Sequence, residues 1–278
     1  MKQGVDLHVH TNASDGSFPP EEVVRMFAEA GLEAIAITDH DNTNALDRSM
    51  AAGETYGIEV IPAIELSADY KGIEIHILGY FIDPHGESLG DLLEIALINR
   101  EERNQKICAK LREAGIAVTM EELRERHPGT VLGRPHNGLL MMEKGYVESV
   151  RQSFREYMGK GAKLYVPKVN MPLEQAIGRI LAAGGVAVLA HPYQYELPEP
   201  ELRELIELVM SLGVKGMECV YARYDEEQRA ALTKLAEEYG LIVTAGSDFH
   251  GTPKPDILPG DIRGEYESVK KIREKREE

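Results

Sequence analysis

Short apolar runs in this chain repeatedly end in side chains that bind metals: His8-Val9-His10, Thr38-Asp39-His40, Ala190-His191-Pro192 and Asp248-Phe249-His250. Imidazoles and carboxylates crowded at strand ends are costly to hold together unless a multivalent cation neutralises them. Any fold open to this chain must therefore bring several strand ends to one place. His8 and His10 are two apart on a strand, so both side chains leave one face and can converge on one ion. Asp248 and His250 repeat that spacing. The polar turn Thr11 to Gly16 can carry the Asp15 carboxylate back over the first strand end. His40 closes the second strand, Glu65 the third, and His76 lies within the fourth. Six histidines (8, 10, 40, 76, 191, 250) and three acids (15, 65, 248) exceed what a single ion accepts. Two or three divalent ions are expected, manganese first, with zinc or iron also suited to imidazole and carboxylate donors. Glu65 could bridge two of them. Asp39 and Asp41 are candidates to orient imidazoles, and capping of the helix that follows by Asp41 or Asn42 is the alternative. His85 and His127 fall in loops and read as solvated.

The pattern between these motifs is strand then helix. Val5 to His10, Ala34 to Thr38, Glu59 to Glu65, Ile73 to Ile82, Val186 to Ala190, Gly216 to Val220 and Leu241 to Ala245 read as strands, with Tyr70-Lys71-Gly72 turning between two of them. Helices are expected over Pro20 to Ala30, Thr43 to Tyr56, Leu173 to Ala183, Pro200 to Leu212 and Glu226 to Tyr239, the first opened by prolines and the second stopped by Gly57. This alternation favours parallel strands closed into a barrel, whose strand ends open on one face. From about Glu87 to Lys168 it fails. Ser88 to Ala114, Met120 to Arg126, Pro135 to Lys144 and Glu148 to Gly159 all read as helical. The expected architecture is α/β: a barrel from residues 1–86 and 169–278, interrupted by a helical insert, 87–168, that serves as a substrate lid. The charged tail, Glu265 to Glu278, is a further helix with no assigned role.

Composition narrows the function. The net charge of −16 disfavours adhesion to duplex nucleic acid, so a phosphorylated substrate must meet a local basic patch or the metals. Cys108 and Cys219 lie far apart and outside any C-x-x-C pair, which excludes a cysteine zinc site and suggests buried free thiols. No apolar run is long enough for a membrane span, and the polar N-terminus does not open a secretory signal, so a cytoplasmic protein is expected. No obligate protein partner is evident. Ser14 and Ser247 lack a G-x-S-x-G elbow, and Gly184-Gly185 reads as a helix stop, not a phosphate loop.

The motifs Asp6-Leu7-His8-Val9-His10-Thr11, Ser14-Asp15-Gly16, Ile37-Thr38-Asp39-His40-Asp41, Glu65-Leu66-Ser67, His76-Ile77-Leu78-Gly79-Tyr80, Ala190-His191-Pro192 and Gly246-Ser247-Asp248-Phe249-His250-Gly251 together resemble the polymerase and histidinol phosphatase (PHP) family, from the first strand to about residue 260. The resemblance implies a distorted seven-stranded α/β barrel holding a metal cluster. It implies that His8, His10, Glu65 and Asp248 hold one ion, Glu65, His76 and His191 a second, and Asp15, His40 and His250 a third. Within that family, the insert and its Gly133-Arg134-Pro135-His136 motif look like the branch that removes phosphate from nucleoside 3',5'-bisphosphates, whose relatives also trim short RNA from the 5' end. Stand-alone histidinol phosphatases usually lack such an insert.

The expected partner is thus a small phosphorylated nucleotide or short oligonucleotide. Arg134 and His136, in a turn stiffened by Pro135, are candidates for a phosphate clamp, as are Arg100 and Arg103, one helical turn apart on the insert. The expected reaction is phosphomonoester hydrolysis by water activated between cations, with the ions neutralising charge on the departing oxygen. Asp248 could orient that water. His191, His250 or a water on an ion could protonate the leaving group. The same chemistry on histidinol phosphate is the alternative, with an inert metal-binding scaffold or an amide hydrolase as weaker ones. A neutral amide needs no basic clamp.

Overall fold

The structure, a computed structural model, describes residues 3–128 and 130–277. The first half of the barrel follows the expected alternation: β1 (Val5–Val9), α1 (Pro20–Glu29), β2 (Ala34–Ile37), α2 (Leu46–Tyr56), β3 (Glu59–Tyr70) and β4 (Ile73–Tyr80). Then come four helices, α3 (Glu87–Glu113), α4 (Met120–Arg126), α5 (Arg134–Glu143) and α6 (Val150–Ser153), the last continued by a π-helical turn over Phe154–Met158. The alternation resumes with β5 (Met171–Pro172), α7 (Leu173–Ala182), β6 (Val186–Leu189), α8 (Glu199–Ser211), β7 (Gly216–Tyr221), α9 (Glu226–Glu238), β8 (Ile242–Gly246) and α10 (Tyr266–Glu277).

Seven strands run β1-β2-β3-β4-β6-β7-β8, while the two-residue β5 adds to β3 off this path. The ring closes where β8 returns to β1: the Asp248 N–H donates to the His8 carbonyl at 2.8 Å and the His10 N–H to the Phe249 carbonyl at 3.0 Å. Closure brings the first strand of the path against the last, so neither is left as an open edge. One expectation fails. β4 runs antiparallel to both β3 and β6, so the barrel is mixed and not all parallel. The cause is local: Lys71 and Gly72 both take positive φ, 51° and 81°, giving the two-residue hairpin turn whose twist suits antiparallel neighbours. The hairpin also carries β3 five residues past Glu65, where the sequence placed its end.

Side chains from six strands, among them Val5, Ala36, Ala63, Leu78, Val188 and Ile242, form one cluster inside the ring, and Val269 and Ile272 of α10 pack against it. A larger cluster fills the space between the outer strand faces and α1, α2 and α7–α9. The helices between β4 and β5 have a core of their own, built on Ile107, Leu111, Leu123, Leu140, Met141 and Met158. Both cysteines are buried and free, as expected. Asn42 does not cap α2. That helix begins at Leu46, with Ala45 at its N-cap, while Asn42 donates to the Ala13 carbonyl at 2.6 Å and accepts the Asn44 N–H. The expected stop at Gly57 holds, with φ of 66°.

The outer face of β4 is tightly packed. A Cβ added at Gly79 would lie 2.8 Å from Ile180 Cγ1 on α7. Ile180 is fully buried, so Ile180→Ala is expected to cost about 2–5 kcal/mol in urea denaturation. Gly79→Ala should destabilise the parent chain but much less the Ile180→Ala chain, because the methyl group then enters the cavity. Strict additivity of the two changes would reject this packing.

Candidate metal centre

All nine sequence candidates meet at one rim of the barrel. β1 contributes His8 and His10 across a register irregularity between Asp6 and Val9. β4, running the opposite way to its neighbours, reaches the same rim with His76 in its first half, which is why that ligand lies inside a strand and not after one. Glu65 stands at the middle and is fully buried. Its Oε2 lies 3.2 Å from His8 Nε2, 3.3 Å from His10 Nε2 and 3.0 Å from His40 Nδ1. Its Oε1 lies 2.7 Å from His76 Nδ1 and 3.1 Å from His191 Nε2. Around this axis, Asp248 Oδ1 is 3.3 Å from His10 Nε2 and 3.2 Å from His250 Nδ1, and Asp15 Oδ1 is 3.2 Å from His250 Nε2. His191 and Asp248 take positive φ, 22° and 56°, at the ends of their strands, a strained backbone of the kind found at functional sites.

The donor set fits divalent ions. Ligand atoms of His10, Asp15, His40 and His250 lie within 4.8 Å of one another, as do those of His8, Glu65 and His191, of His8, His10 and Asp248, and of His40, Glu65 and His76. Glu65 Oε2, within reach of three imidazoles, forms no hydrogen bond, and neither do the buried Nδ1 atoms of His10, His40 and His191. His8 Nδ1 donates to Glu218, at 3.0 Å from Oε1, which leaves Nε2 as the atom directed toward the centre, only 3.1 Å from His10 Nε2. Two ring nitrogens directed at one point share a cation better than a proton.

The electrostatics show what a cation would relieve. Burial works to raise the Glu65 carboxyl, yet His40, His76 and His8 hold it well below its ordinary range. Burial works against charge on His8, and Glu218, Glu65 and Asp248 overcome it to carry that imidazole well above its usual value. His10 and His76 are likewise brought up to about 9 against burial, by Asp248 and Glu65 for the first and by Glu65 and Glu74 for the second. His40 is driven the other way, by burial and by the charges on His10 and His76. In a metal-free site protons therefore substitute for cations, and binding an ion must release them.

Several functional neighbours escape a sequence reading. Glu218, in the middle of the apolar strand β7 and fully buried, grips His8 Nδ1 and accepts the His191 N–H at 2.9 Å, so one carboxylate fixes two candidate ligands. Its only sequence signal is an acid inside Gly216-Met-Glu-Cys-Val-Tyr. Tyr221 donates to Asp248 Oδ2 at 2.7 Å, and Lys254 contacts the same oxygen, which leaves Oδ1 for the cluster. Asp39 and Asp41 touch no imidazole through a hydrogen bond and cap no helix. Asp39 ties down the Thr11 turn through the Thr11 N–H and hydroxyl and through Ser14. Asp41 accepts two bonds from Arg100, the nearer at 2.7 Å, and one from the Ser67 N–H.

The rim opens into a cavity of about 880 Å³ whose wall includes Arg100, Arg103, Arg134, Lys168 and Phe154. Arg134 lies over the Phe154 ring at 5.2 Å, with Glu74 3.9 Å away. Lys168 bridges Asp41 and Glu74, each at 3.3 Å. Arg103 donates to the Val166 carbonyl, and burial together with the charge on Arg134 lowers its pKa to about 10. His136 is the exception. It is 1% exposed, accepts the Gly133 N–H at 2.9 Å on Nδ1, and meets the His127 ring edge-on, so it caps α5 from inside and does not face the cavity. His127 is itself half-buried by that contact and not freely solvated, whereas His85 is exposed on Asp47 as expected.

A PHP domain model matches residues 6–276. The chain belongs to the PHP domain family. It is 34% identical over 250 residues to a 5'-3' exoribonuclease of Haemophilus influenzae, covering 90% of this chain and 91% of that protein. To a 3',5'-nucleoside bisphosphate phosphatase of Chromobacterium violaceum it is 32% identical over 247 residues, covering 88% and 87%. A phosphoribosyl 1,2-cyclic phosphate 1,2-diphosphodiesterase of Eggerthella lenta is 30% identical over 250 residues, covering 88% and 94%. Two solved structures share the fold over 98% of this chain and 96% of theirs. One, classed provisionally as a metal-dependent phosphoesterase, is from Bifidobacterium adolescentis, with TM-score 0.90 and 28% identity. The other, described as an amidohydrolase with bound sulfate and no metal, is from Chromobacterium violaceum, with TM-score 0.89 and 30% identity.

Glu218→Gln is expected to lower metal affinity roughly 10- to 100-fold, read by titration with a chelating dye, because His8 and His191 lose their common anchor. Undiminished affinity would dismiss that role. Burial depresses the His136 pKa to about 4. Its stabilising effect is complete above the unfolded value of about 6.5 and declines as pH falls towards 4, by up to about 3 kcal/mol. Thermal melts of the parent and His136→Gln chains across that window should show the variant with the flatter pH dependence.

Proposed function

We propose that this metal-dependent phosphoesterase removes the 3'-phosphate of nucleoside 3',5'-bisphosphates, with short 5'-phosphorylated RNA as a related substrate. One observation carries the reading: the metal centre opens onto a cavity walled by Arg100, Arg103, Arg134 and Lys168 in a protein of net charge −16. A second phosphate, beyond the one being cleaved, gives those cations something to bind. The names of the Haemophilus and Chromobacterium relatives agree with this substrate class. Histidinol phosphate, a monophosphate, would occupy the metals and make no use of the basic wall.

In this reading the ions, when bound, supply an activated water and neutralise the charge on phosphorus oxygens. Manganese is the proposed metal, and iron or zinc would satisfy the same donors. Asp248 is held by Tyr221 and Lys254 through Oδ2, so that Oδ1 is turned to the cluster and can orient the attacking water. Lys254 also lines the cavity, where its ammonium adds to the positive charge that offsets a departing oxygen. His250 donates from Nδ1 to the Asp248 carbonyl at 2.9 Å, which leaves only Nε2 for a ligand. The proton for the leaving group comes from an imidazole at the rim, His191 or His250, or from a water held there. The helices α3–α6 act as the lid, with Arg134 and Lys168 binding the distal phosphate and Phe154 offering a ring face to the base.

The purified protein is expected to contain two or three divalent ions per chain and to release phosphate from adenosine 3',5'-bisphosphate faster than from histidinol phosphate. The reverse order of rates would overturn the assignment. Arg134→Ala should leave the metal content intact and raise KM roughly tenfold or more, the weight of a lost charge-assisted hydrogen bond. Unchanged kinetics would remove Arg134 from the clamp.

A further inference from the structure

Glu74 is out of place in a cavity built for anions. It lies on β4 two residues before His76, so both side chains stand on one face of the strand. Its Oε1 is 3.4 Å from His76 Nε2 and 3.3 Å from Lys168, while Oε2 is 3.9 Å from Arg134. The carboxylate is thus interposed between the metal centre and the basic wall. Its side chain is 30% exposed and lines the cavity. A negative charge there repels each substrate phosphate, and a barrel that only needed to position Lys168 already has Asp41 for the task. An ionised carboxylate can only accept hydrogen bonds. It is useful to bound substrate only where the substrate presents a donor.

Between the two phosphates of a nucleoside 3',5'-bisphosphate lies the ribose, and its one free hydroxyl is at the 2' position, next to the 3'-phosphate. We propose that Glu74 is the specificity residue that accepts the 2'-hydroxyl and makes the site prefer ribonucleotides to 2'-deoxyribonucleotides. This rests on the substrate reading above, with the 3'-phosphate at the metals and the 5'-phosphate on Arg134 and Lys168. The 2'-hydroxyl then falls at the level of Glu74, and its O–H replaces part of the contact that His76 Nε2 and Lys168 make in the free protein. When the hydroxyl is missing, Glu74 keeps only its His76 and Lys168 contacts, and the bound substrate lacks one hydrogen bond to a charged group.

The test compares adenosine 3',5'-bisphosphate with its 2'-deoxy analogue on the manganese-loaded enzyme. The parent should favour the ribose form roughly tenfold or more in kcat/KM, the size expected for a hydrogen bond to a charged group. Glu74→Leu should bring the two substrates together, and Glu74→Gln, which retains an acceptor oxygen, should keep part of the preference. Calorimetric binding of adenosine 5'-monophosphate against 2'-deoxyadenosine 5'-monophosphate gives the same comparison without turnover. If Glu74 merely tethers Lys168 and Arg134, both substrates weaken equally and the preference survives in Glu74→Leu, which overturns the proposal. Equal use of both substrates by the parent overturns it too. Should neither bisphosphate be turned over, the substrate reading fails on its own, and the nucleotide pair still decides the role of Glu74: no binding, or equal binding, rejects it.

Discussion

The whole rim of this barrel is organised by one buried carboxylate. Glu65 has five imidazole nitrogens within 3.3 Å and no access to water. An ionised acid in such a place is tolerable only if positive charge surrounds it, and a cluster of histidines is tolerable only if something accepts their lone pairs. Divalent ions meet both demands. The second layer, Glu218 under His8 and His191 and the Tyr221–Lys254 pair on Asp248, keeps the ligands aimed when the charge between them changes.

The barrel topology serves that centre. Parallel strands deliver β1, β2, β6, β7 and β8 to the rim by their carboxyl ends. The reversed β4 delivers His76 from its amino-terminal half, and the long β3 passes Glu65 through the middle. The reversal also sends the chain away from the rim at Tyr80, so α3 must climb back along the barrel before Arg100 can meet Asp41. That ion pair ties the inserted helices to the loop just after His40, which couples the basic wall directly to the candidate metal ligands. Electrostatically the site is a small positive basin in an acidic protein, a layout that draws anions to one point and repels polyanions elsewhere.

Much of this was legible in the chain itself. The period-two spacings of His8 with His10 and of Asp248 with His250, and the placement of His40 and His191 at the ends of apolar runs, point to convergence by themselves. The helix after β4 and the short helices behind it were evident from lost strand signal, and their extents differ from the structure by a residue or two, except at Glu148 to Gly159, where the last turn widens into a π-helix. Glu218 and Glu74 were not legible. A single acid in a strand carries no periodic signal, and its meaning comes from what lies across the barrel. His136 misled for the opposite reason: a motif that looks catalytic in one dimension turned its imidazole inward to close a helix end.

Residue types and their spacing alone pointed to an α/β barrel whose imidazole and carboxylate groups are of the kind that hold divalent cations, because ligand chemistry and strand parity are local properties. Only the tertiary structure decided the antiparallel β4, the partners that hold each ligand, and which basic residues face the cavity. Those depend on contacts between residues far apart in the chain, such as Glu218 on His8, 210 positions away. Distances of that kind are set by ring closure and packing, and no window of sequence contains them.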